Sequence, residues 1–236
     1  MWKVGAVLEA EVKNEANAAT RRPLSLLPNL FSPLSNAAKQ KIREGSRIQS
    51  LQKNELVLRA GQLFPDFLVV QSGWLAAEID DVCVSLLPPN SLYCIYMGGE
   101  PRPASFNLRA VSSSTSIAVL SRAPTWAALS ESPDVLAEVC DHVIQYLAKS
   151  FADAAKRVTD PLELRLASFL WSTGTPMPDG TRRIPSVVPQ QYIASYLGAS
   201  REEVSRKRQL LIRSGYLSKR DGHWYMEFPQ AGPSAF

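Results

Sequence analysis

Cysteine, histidine and long apolar stretches are scarce in this sequence of 236 residues. Its three cysteines, at positions 83, 94 and 140, form neither the close pairs of a zinc site nor the even-numbered set of a disulfide framework. No run of about 18 apolar residues could span a membrane, and acidic residues interrupt the N-terminal region where a signal peptide needs an apolar core. We therefore expect a cytoplasmic protein that holds no metal and is neither exported nor inserted in a membrane.

Groupings of residues that carry out catalysis are also missing from the sequence. No Ser/His/Asp, Cys/His or metal-ligand constellation can be found among its residues. His142 follows Cys140 by two positions, which on a helix separates the two side chains by about 200°. We predict that the protein has no catalytic residues and is not an enzyme, so its function is expected to be binding.

Positive charge is modest in total but concentrated near the C-terminus. The formal net charge is +4. Residues 182–220 contain nine Lys and Arg residues against two Glu residues, which gives this segment +7 and leaves −3 for the rest of the chain. A basic end on a slightly acidic body is typical of a protein that binds a polyanion. A basic face that is merely solvated is the alternative.

Short strands are predicted between residues 55 and 121. Apolar or alternating runs recur there and are separated by turn residues such as Gly61, Ser72-Gly73 and Asp80-Asp81. The runs are 56–58, 67–71, 74–79, 82–87, 108–111 and 116–120. Together with a short helix predicted over 33–44, they indicate an all-β domain over residues 23–131, preceded by an N-terminal extension over residues 1–22.

A single long helix is predicted over residues 132–159. Ser132 and Pro133 supply a start signal, and neither Gly nor a further Pro follows within this range. Apolar residues recur along it at three- and four-residue steps, and the first of them are Leu136, Val139, Val143, Tyr146 and Leu147. We interpret this face as the interface of a parallel homodimer, because the helix is longer than one small domain needs. Packing against the chain's own β domain is the alternative.

A domain boundary is predicted at Asp160. Asp160 as N-cap, Pro161 at the first helical position and Glu163 at the third form a helix start signal. The helix that begins there is expected to run towards Gly174 and to open a C-terminal domain over residues 160–236.

Two short helices joined by a tight turn are predicted from residue 190 onward. The first ends at Gly198, because glycine readily adopts the left-handed conformation that stops a helix. Ser200 caps the second helix, and Glu203 completes a capping box. Val204 and Leu211 are seven residues apart and are expected to face the core. This pattern predicts a helix-turn-helix.

The second of these helices is predicted to contact DNA bases. The N-terminal end of a recognition helix faces base edges in the major groove, and the residues exposed there are Arg201, Glu202, Ser205 and Arg206. Arginine can hold guanine through two parallel hydrogen bonds, and glutamate can accept one from the cytosine amino group. Residues 216–220 and 223–226 indicate a basic hairpin, or wing, directly behind this helix. A structural helical hairpin with charged solvent faces is the alternative.

The segments Ile193 to Gly198 and Ser200 to Arg206 resemble the winged-helix signature of the Crp/Fnr superfamily of bacterial transcription regulators. Weaker similarities lie upstream, at 30–35, 71–73 and 132–134, so the resemblance covers roughly residues 28–228. It implies an α+β fold with an N-terminal β-roll of the cyclic-nucleotide-binding type, a dimerisation helix over 132–159 and a C-terminal winged helix-turn-helix.

The resemblance also implies roles for individual residues. Arg201, Glu202 and Arg206 would read bases, with Ser205 beside them. By the same resemblance Gln190, Gln191 and Ser200 would touch phosphates. Arg208 and the wing residue Lys219 are expected to add phosphate contacts because of their charge. Lys207 and Arg208 depart from the family pattern, because relatives often keep apolar or small residues at these places. The two side chains could enlarge the phosphate contact, or they could face solvent along their stems.

The resemblance does not extend to the nucleotide pocket. Relatives that bind cyclic nucleotides use a Gly-Glu pair and, about ten residues later, an Arg-Ser step. Ala104 stands at the arginine position here, and Gly99-Glu100 and Arg102 have the wrong spacing. Because a phosphate without its cation would bind poorly, we expect no response to cyclic AMP. Three cysteines are too few for the family's iron–sulfur cluster, and both histidines are expected to be structural, so no cofactor is predicted.

The sequence therefore predicts a homodimeric regulator that binds double-stranded DNA at an inverted-repeat operator, with RNA polymerase as a candidate further partner. The alternative is a ligand-binding or protein-interaction module of the same fold whose basic C-terminal domain does not read DNA. A mobility shift against random competitor DNA distinguishes the two, because the module would form no sequence-selective complex.

Overall fold

The computed structural model describes residues 31–94 and 102–227. The predicted N-terminal extension and the Gly99-Glu100 pair lie outside these residues. The described chain divides into two compact units, one formed by residues 31–94, 102–159 and 187–198, the other by residues 160–186 and 199–227. Antiparallel sheets dominate the first unit and helices accompany a small sheet in the second, so the predicted α+β class is confirmed.

The first unit contains two four-stranded antiparallel sheets. One has the order β1-β8-β3-β6 and the other the order β2-β7-β4-β5. The strands are β1 Ser46–Leu51, β2 Leu56–Leu58, β3 Phe67–Ser72, β4 Leu75–Ile79, β5 Val82–Leu87, β6 Leu92–Tyr93, β7 Asn107–Ala110 and β8 Thr115–Leu120. Six of the eight coincide closely with the strands predicted from apolar runs and turn residues. This pair of sheets is the expected β-roll.

The core of the β-roll is apolar and closely packed. Leu68, Leu75, Leu108 and Ile117 come from four strands and are fully buried together. The turn between β3 and β4 requires Gly73, whose φ is +73° and whose missing Cβ would lie 2.5 Å from the Ser114 carbonyl oxygen. The hydrophobic effect across these two sheets is what holds the roll closed.

Helices occur in both units. They are α1 Asn36–Glu44, α2 Arg122–Ser130, α3 Pro133–Thr159, α4 Leu162–Thr173, α5 Gln190–Leu197 and α6 Arg201–Arg213. A second apolar cluster joins α1, α2 and the start of α3 to the outer face of β3 and β8, with Ile42, Phe67, Leu129 and Val139 at its centre. Among residues 31–94 and 102–227, no helix is both long enough and apolar enough to cross a membrane.

Besides the two-residue strand β6, two elements of the first unit were not predicted. Strand β1 reads Ser-Arg-Ile-Gln-Ser-Leu and is mostly exposed, because it lies at a sheet edge. Helix α2 shows little amphipathic periodicity, and Pro124 occupies its first turn, where proline is tolerated. Both elements depend on contacts with residues far along the chain, as the pairing of Ser46 with Leu120 shows.

The second unit consists of α4, α6 and a four-stranded sheet of order β11-β12-β10-β9. Its strands are β9 Thr175–Pro176, β10 Arg182–Ile184, β11 Leu217–Arg220 and β12 His223–Met226. The predicted wing is confirmed: Asp221 and Gly222 both have positive φ, as a tight primed hairpin turn requires. Strands β9 and β10 were not predicted, because their residues, Thr-Pro and Arg-Arg-Ile, form neither an apolar run nor an alternating pattern.

The predicted start of α4 is wrong by one residue. Pro161, not Asp160, is the N-cap, and its carbonyl oxygen accepts hydrogen bonds from Leu164 and Arg165 at 3.1 Å. Its ψ of 148° is the extended backbone of a cap rather than the helical backbone expected at a first position. Glu163 still lies in the first turn, as predicted.

Candidate nucleic-acid interface

Helix α5 ends where the sequence predicts, at a left-handed glycine. Gly198 has φ 63° and ψ 45°, and its N–H donates back to the last turn of the helix. A residue with a side chain would be strained in this conformation. The second helix begins three residues later, so the connection has the short length that a helix-turn-helix needs.

Helix α6 begins with a complete capping box. The Ser200 hydroxyl accepts a hydrogen bond from the Glu203 N–H at 3.1 Å, and the Glu203 carboxylate accepts one from the Ser200 N–H at 2.9 Å. These hydrogen bonds from the Ser200 backbone and hydroxyl lower the pKa of the Glu203 carboxyl below its ordinary value. The box holds the first turn of α6 in place without using Arg201 or Glu202.

Replacing Ser200 with Ala is expected to lower the free energy of unfolding by about 1 kcal/mol, because the Glu203 N–H loses its acceptor. Ser200→Gly should lower the free energy of unfolding by only a few tenths of a kcal/mol. Urea denaturation followed by circular dichroism measures both. The matched control is Ser205→Ala, an exposed position inside the same helix, where alanine is the better helix former. Equal destabilisation by the two alanine variants would contradict the capping role.

The exposed side chains of α6 lie where a recognition helix would need them. Val204 and Leu211 are buried on one face. The four predicted base-reading residues are all exposed, and they are Arg201, Glu202, Ser205 and Arg206. Arginine side chains at this end of the helix can donate hydrogen bonds to base edges, and the glutamate side chain can accept them.

The predicted phosphate-contacting residues are less uniform. Gln191, Ser200 and Lys219 are exposed, and Gln190 is half-buried. Arg208 is also half-buried, and its guanidinium lies 4.3 Å from the centre of the Trp224 ring. Burial lowers the pKa of Arg208. An arginine packed in this way differs from the solvated cation that the sequence led us to expect.

Several basic residues of the 182–220 segment have partners within their own unit. The Arg182 guanidinium donates to the carbonyl oxygens of Trp171 and Gly174 at 3.2 and 3.0 Å. Lys207 forms an ion pair with Glu163 at 2.8 Å. Arg220 lies 3.5 Å from both Asp179 and Glu227. The sequence could not show these partners, because a count of charges contains no information about packing.

The five predicted dimer residues on α3 fall into two groups. Val139 is fully buried and Leu136 packs against the same cluster, so both contact the core of their own chain. Val143 is half-buried, whereas Tyr146 and Leu147 are exposed. The Tyr146 hydroxyl lies 2.6 Å from the Ser85 hydroxyl on β5. Leu147 is therefore the residue of the five that is most open to a second copy.

A different apolar stripe on α3 is exposed. Ile144, Leu147, Phe151 and Val158 are 61%, 48%, 74% and 88% exposed. With Cys140 and Ala154 they follow one another at steps of four and three residues, which is the spacing of a coiled-coil seam. The sequence interpretation missed Ile144 and Phe151, although a strict heptad count would have found them. We call these six residues the α3 stripe.

Comparisons with known proteins agree with this geometry. The family model described as a Crp-like helix-turn-helix domain matches residues 164–229. A sequence search of curated proteins returned no significant match. Among solved structures, FixK2 from Bradyrhizobium japonicum is 17% identical with a TM-score of 0.67, over 80% of this chain and 96% of that one.

Two further solved structures share the fold. A mutant of CooA from Carboxydothermus hydrogenoformans is 16% identical with a TM-score of 0.64, over 89% of this chain and 97% of that one. The c-di-GMP responsive global regulator CLP of Xanthomonas campestris is 16% identical with a TM-score of 0.61, over 83% of this chain and 100% of that one. The chain therefore carries a Crp-like helix-turn-helix domain and has the fold of the Crp/Fnr regulators.

Proposed function

We propose that this protein is a sequence-specific, DNA-binding regulator of transcription that acts in the cytoplasm as a homodimer on an inverted-repeat operator. One observation carries the proposal: α6 starts at a complete capping box and exposes Arg201, Glu202 and Arg206 in its first two turns, while Val204 and Leu211 are buried. This is the end of a recognition helix that meets base edges in the major groove.

Each exposed group has a role in the proposal. Arg201, Glu202, Ser205 and Arg206 read bases. Gln191, Ser200 and Lys219, with the half-buried Gln190, contact phosphates and set the position of the helix on the duplex. The exposed Lys219 in the wing adds a cation that can contact the phosphate backbone beside the groove occupied by α6.

The homodimer is proposed to form along the α3 stripe. Four large apolar side chains spaced by three, four and seven residues on one helix face are unusual for a surface exposed to solvent, and a second copy would cover them. In a parallel two-fold pair each stripe residue faces its own counterpart. The two recognition helices are then related by the same axis, which is why we propose an operator with two-fold symmetry.

The β-roll is proposed to work without cyclic AMP. Ala104, at the place where relatives hold the phosphate-binding arginine, is 4% exposed and belongs to the apolar core of the roll. Next to it, Phe106 makes an edge-to-face contact with Tyr93 at 5.5 Å between ring centres. Among the described residues, neither Ala104 nor Phe106 offers a cation to a phosphate placed against them.

Selection of bound sequences from a random DNA pool tests the proposal. Purified protein is expected to enrich an inverted repeat whose half-site centres are about one helical turn, roughly 34–36 Å, apart. A parallel selection with added small molecules from cell extract measures effector dependence, and we expect the same repeat in both. Enrichment of no sequence in either pool would contradict the proposal and favour a ligand-binding or protein-interaction module.

A further inference from the structure

The basic pair Lys207-Arg208 lies in the middle of α6, next to the residues proposed to read bases. We propose that Arg208, with Lys207 beside it, is a positioning residue that fixes α6 against the wing and against α4, rather than a phosphate contact. The inference rests on the proposed function, because its consequence is the accuracy of base reading.

Arg208 packs on the wing through an aromatic ring. Its guanidinium lies 4.3 Å from the centre of the Trp224 ring on β12, a distance typical of a favourable cation–π contact. The Nζ of Lys219 lies 5.9 Å from the centre of the same ring. β12 lies between β11 and β10, and Trp224 is paired with Lys219 on one side and with Ile184 on the other. The ring is therefore carried by a strand that is hydrogen-bonded on both edges.

Lys207 holds the same helix from another side. Its ammonium lies 2.8 Å from the carboxylate of Glu163 in the first turn of α4. The hydrogen bond from Lys207 lowers the pKa of Glu163. Successive residues on a helix point about 100° apart, so two adjacent side chains can reach two different neighbours. Both side chains of this ion pair are partly exposed, so we expect it to restrain α6 less than the Arg208 contact does.

Together these contacts restrain rotation and sliding of α6. A recognition helix discriminates bases only when its side chains lie within a fraction of an ångström of the correct hydrogen-bonding geometry, so a small rotation weakens correct contacts more than phosphate contacts. Losing the Arg208 contact should therefore reduce the ratio of operator affinity to random-DNA affinity. Losing a phosphate contact would instead weaken both complexes and flatten their salt dependence.

The test compares Arg208→Ala with the wild-type chain on the selected operator and on random DNA over a range of salt concentrations. We expect the operator-to-random ratio to fall about 2- to 30-fold, the range that follows from a cation–π contact. The slope of log affinity against log salt should stay unchanged. A slope shallower by about one unit, with an unchanged ratio, would make Arg208 a phosphate contact and overturn the inference.

Trp224 variants give an independent readout. Because Trp224 carries no charge, Trp224→Ala should reproduce the Arg208→Ala ratio only if the contact positions α6, and the double variant should be no worse than either single one. Trp224→Phe keeps a ring and should retain most of the ratio, which covers the case in which Trp224→Ala fails to fold. Additive losses, or a Trp224→Phe variant as impaired as Arg208→Ala, would contradict the inference.

Arg213→Ala serves as the charge-matched control, since Arg213 is exposed at the far end of α6 and should leave the ratio unchanged. A fall in the ratio equal to that of Arg208→Ala would show that removing any arginine from α6 has this effect and would overturn the inference. If the wild-type chain selects no operator at all, the proposed function fails first. If it selects one and Arg208→Ala behaves as a phosphate contact, only the positioning role fails.

Discussion

Replacing Phe151 with Glu is expected to convert the proposed dimer to a monomer and to weaken binding to the proposed operator by about 10²- to 10⁴-fold. Phe151 lies in the middle of the α3 stripe and is 74% exposed in the single chain. In a parallel two-fold pair the new carboxylates would face each other in an apolar seam, where neither charge can be solvated. A monomer also loses the gain in affinity that comes from binding two half-sites at once, which is the source of the large effect.

Sedimentation and DNA titration measure this prediction together. The variant should sediment as a monomer and should bind a single half-site as well as the wild-type chain does per subunit. Ala152→Glu is the matched control, because residue 152 is the exposed neighbour of Phe151 but lies off the stripe. If the Phe151→Glu chain remained dimeric, the α3 stripe would be ruled out as the dimer interface.

Cysteine cross-linking tests the register of the same interface. Cys140 is exposed and belongs to the α3 stripe, so in a parallel pair it faces Cys140 of the second copy. Mild oxidation should join the two chains, and Cys140→Ser should prevent it. The other cysteines are poor competitors, because burial raises the pKa of Cys83 to about 12 and that of Cys94 to about 11. A wild-type dimer in which oxidation forms no Cys140–Cys140 cross-link would contradict the parallel register.

Arg201→Ala is expected to cost about 1–3 kcal/mol of operator binding and to relax base preference at one position of each half-site. The reason is that two parallel hydrogen bonds to one guanine are lost while the backbone contacts remain. Arg206→Ala should behave in the same way at a second position. Titration against a panel of single-base operator variants measures both the loss and the position at which discrimination disappears.

Lys219→Ala is the control for this prediction. Lys219 lies exposed in the wing, so its loss should weaken binding evenly on all sequences and make the salt slope shallower by about one unit. If Arg201→Ala lowered affinity for operator and random DNA equally, Arg201 would be another phosphate contact and the base-reading assignment would be withdrawn.

The helix-turn-helix could be predicted from sequence because its signals are local. Gly198 ends one helix through its own backbone conformation, and Ser200 with Glu203 starts the next within four residues. The hairpin turn at Asp221-Gly222 is equally local. Signals of this kind depend on a residue and its near neighbours, so they survive without knowledge of the rest of the fold.

Elements that depend on distant partners were harder to predict. Strand β10 is three residues long and exists because it pairs with β12, about forty positions away. The dimer interface predicted from sequence was affected in the same way. Leu136 and Val139 satisfy helical periodicity as well as the α3 stripe does, but the chain's own core covers them. Periodicity shows that a helix has an apolar side without showing what lies against it.

The same distinction applies to the concentrated positive charge. The sequence alone determined that residues 182–220 carry +7. Its cap and turn residues predicted a helix-turn-helix in the same segment. Only the tertiary structure decided which of those cations are exposed and which are held, as Arg208 is by Trp224 and Lys207 by Glu163. The physical reason is that charge is a property of a residue, whereas its exposure is a property of all the residues that pack around it.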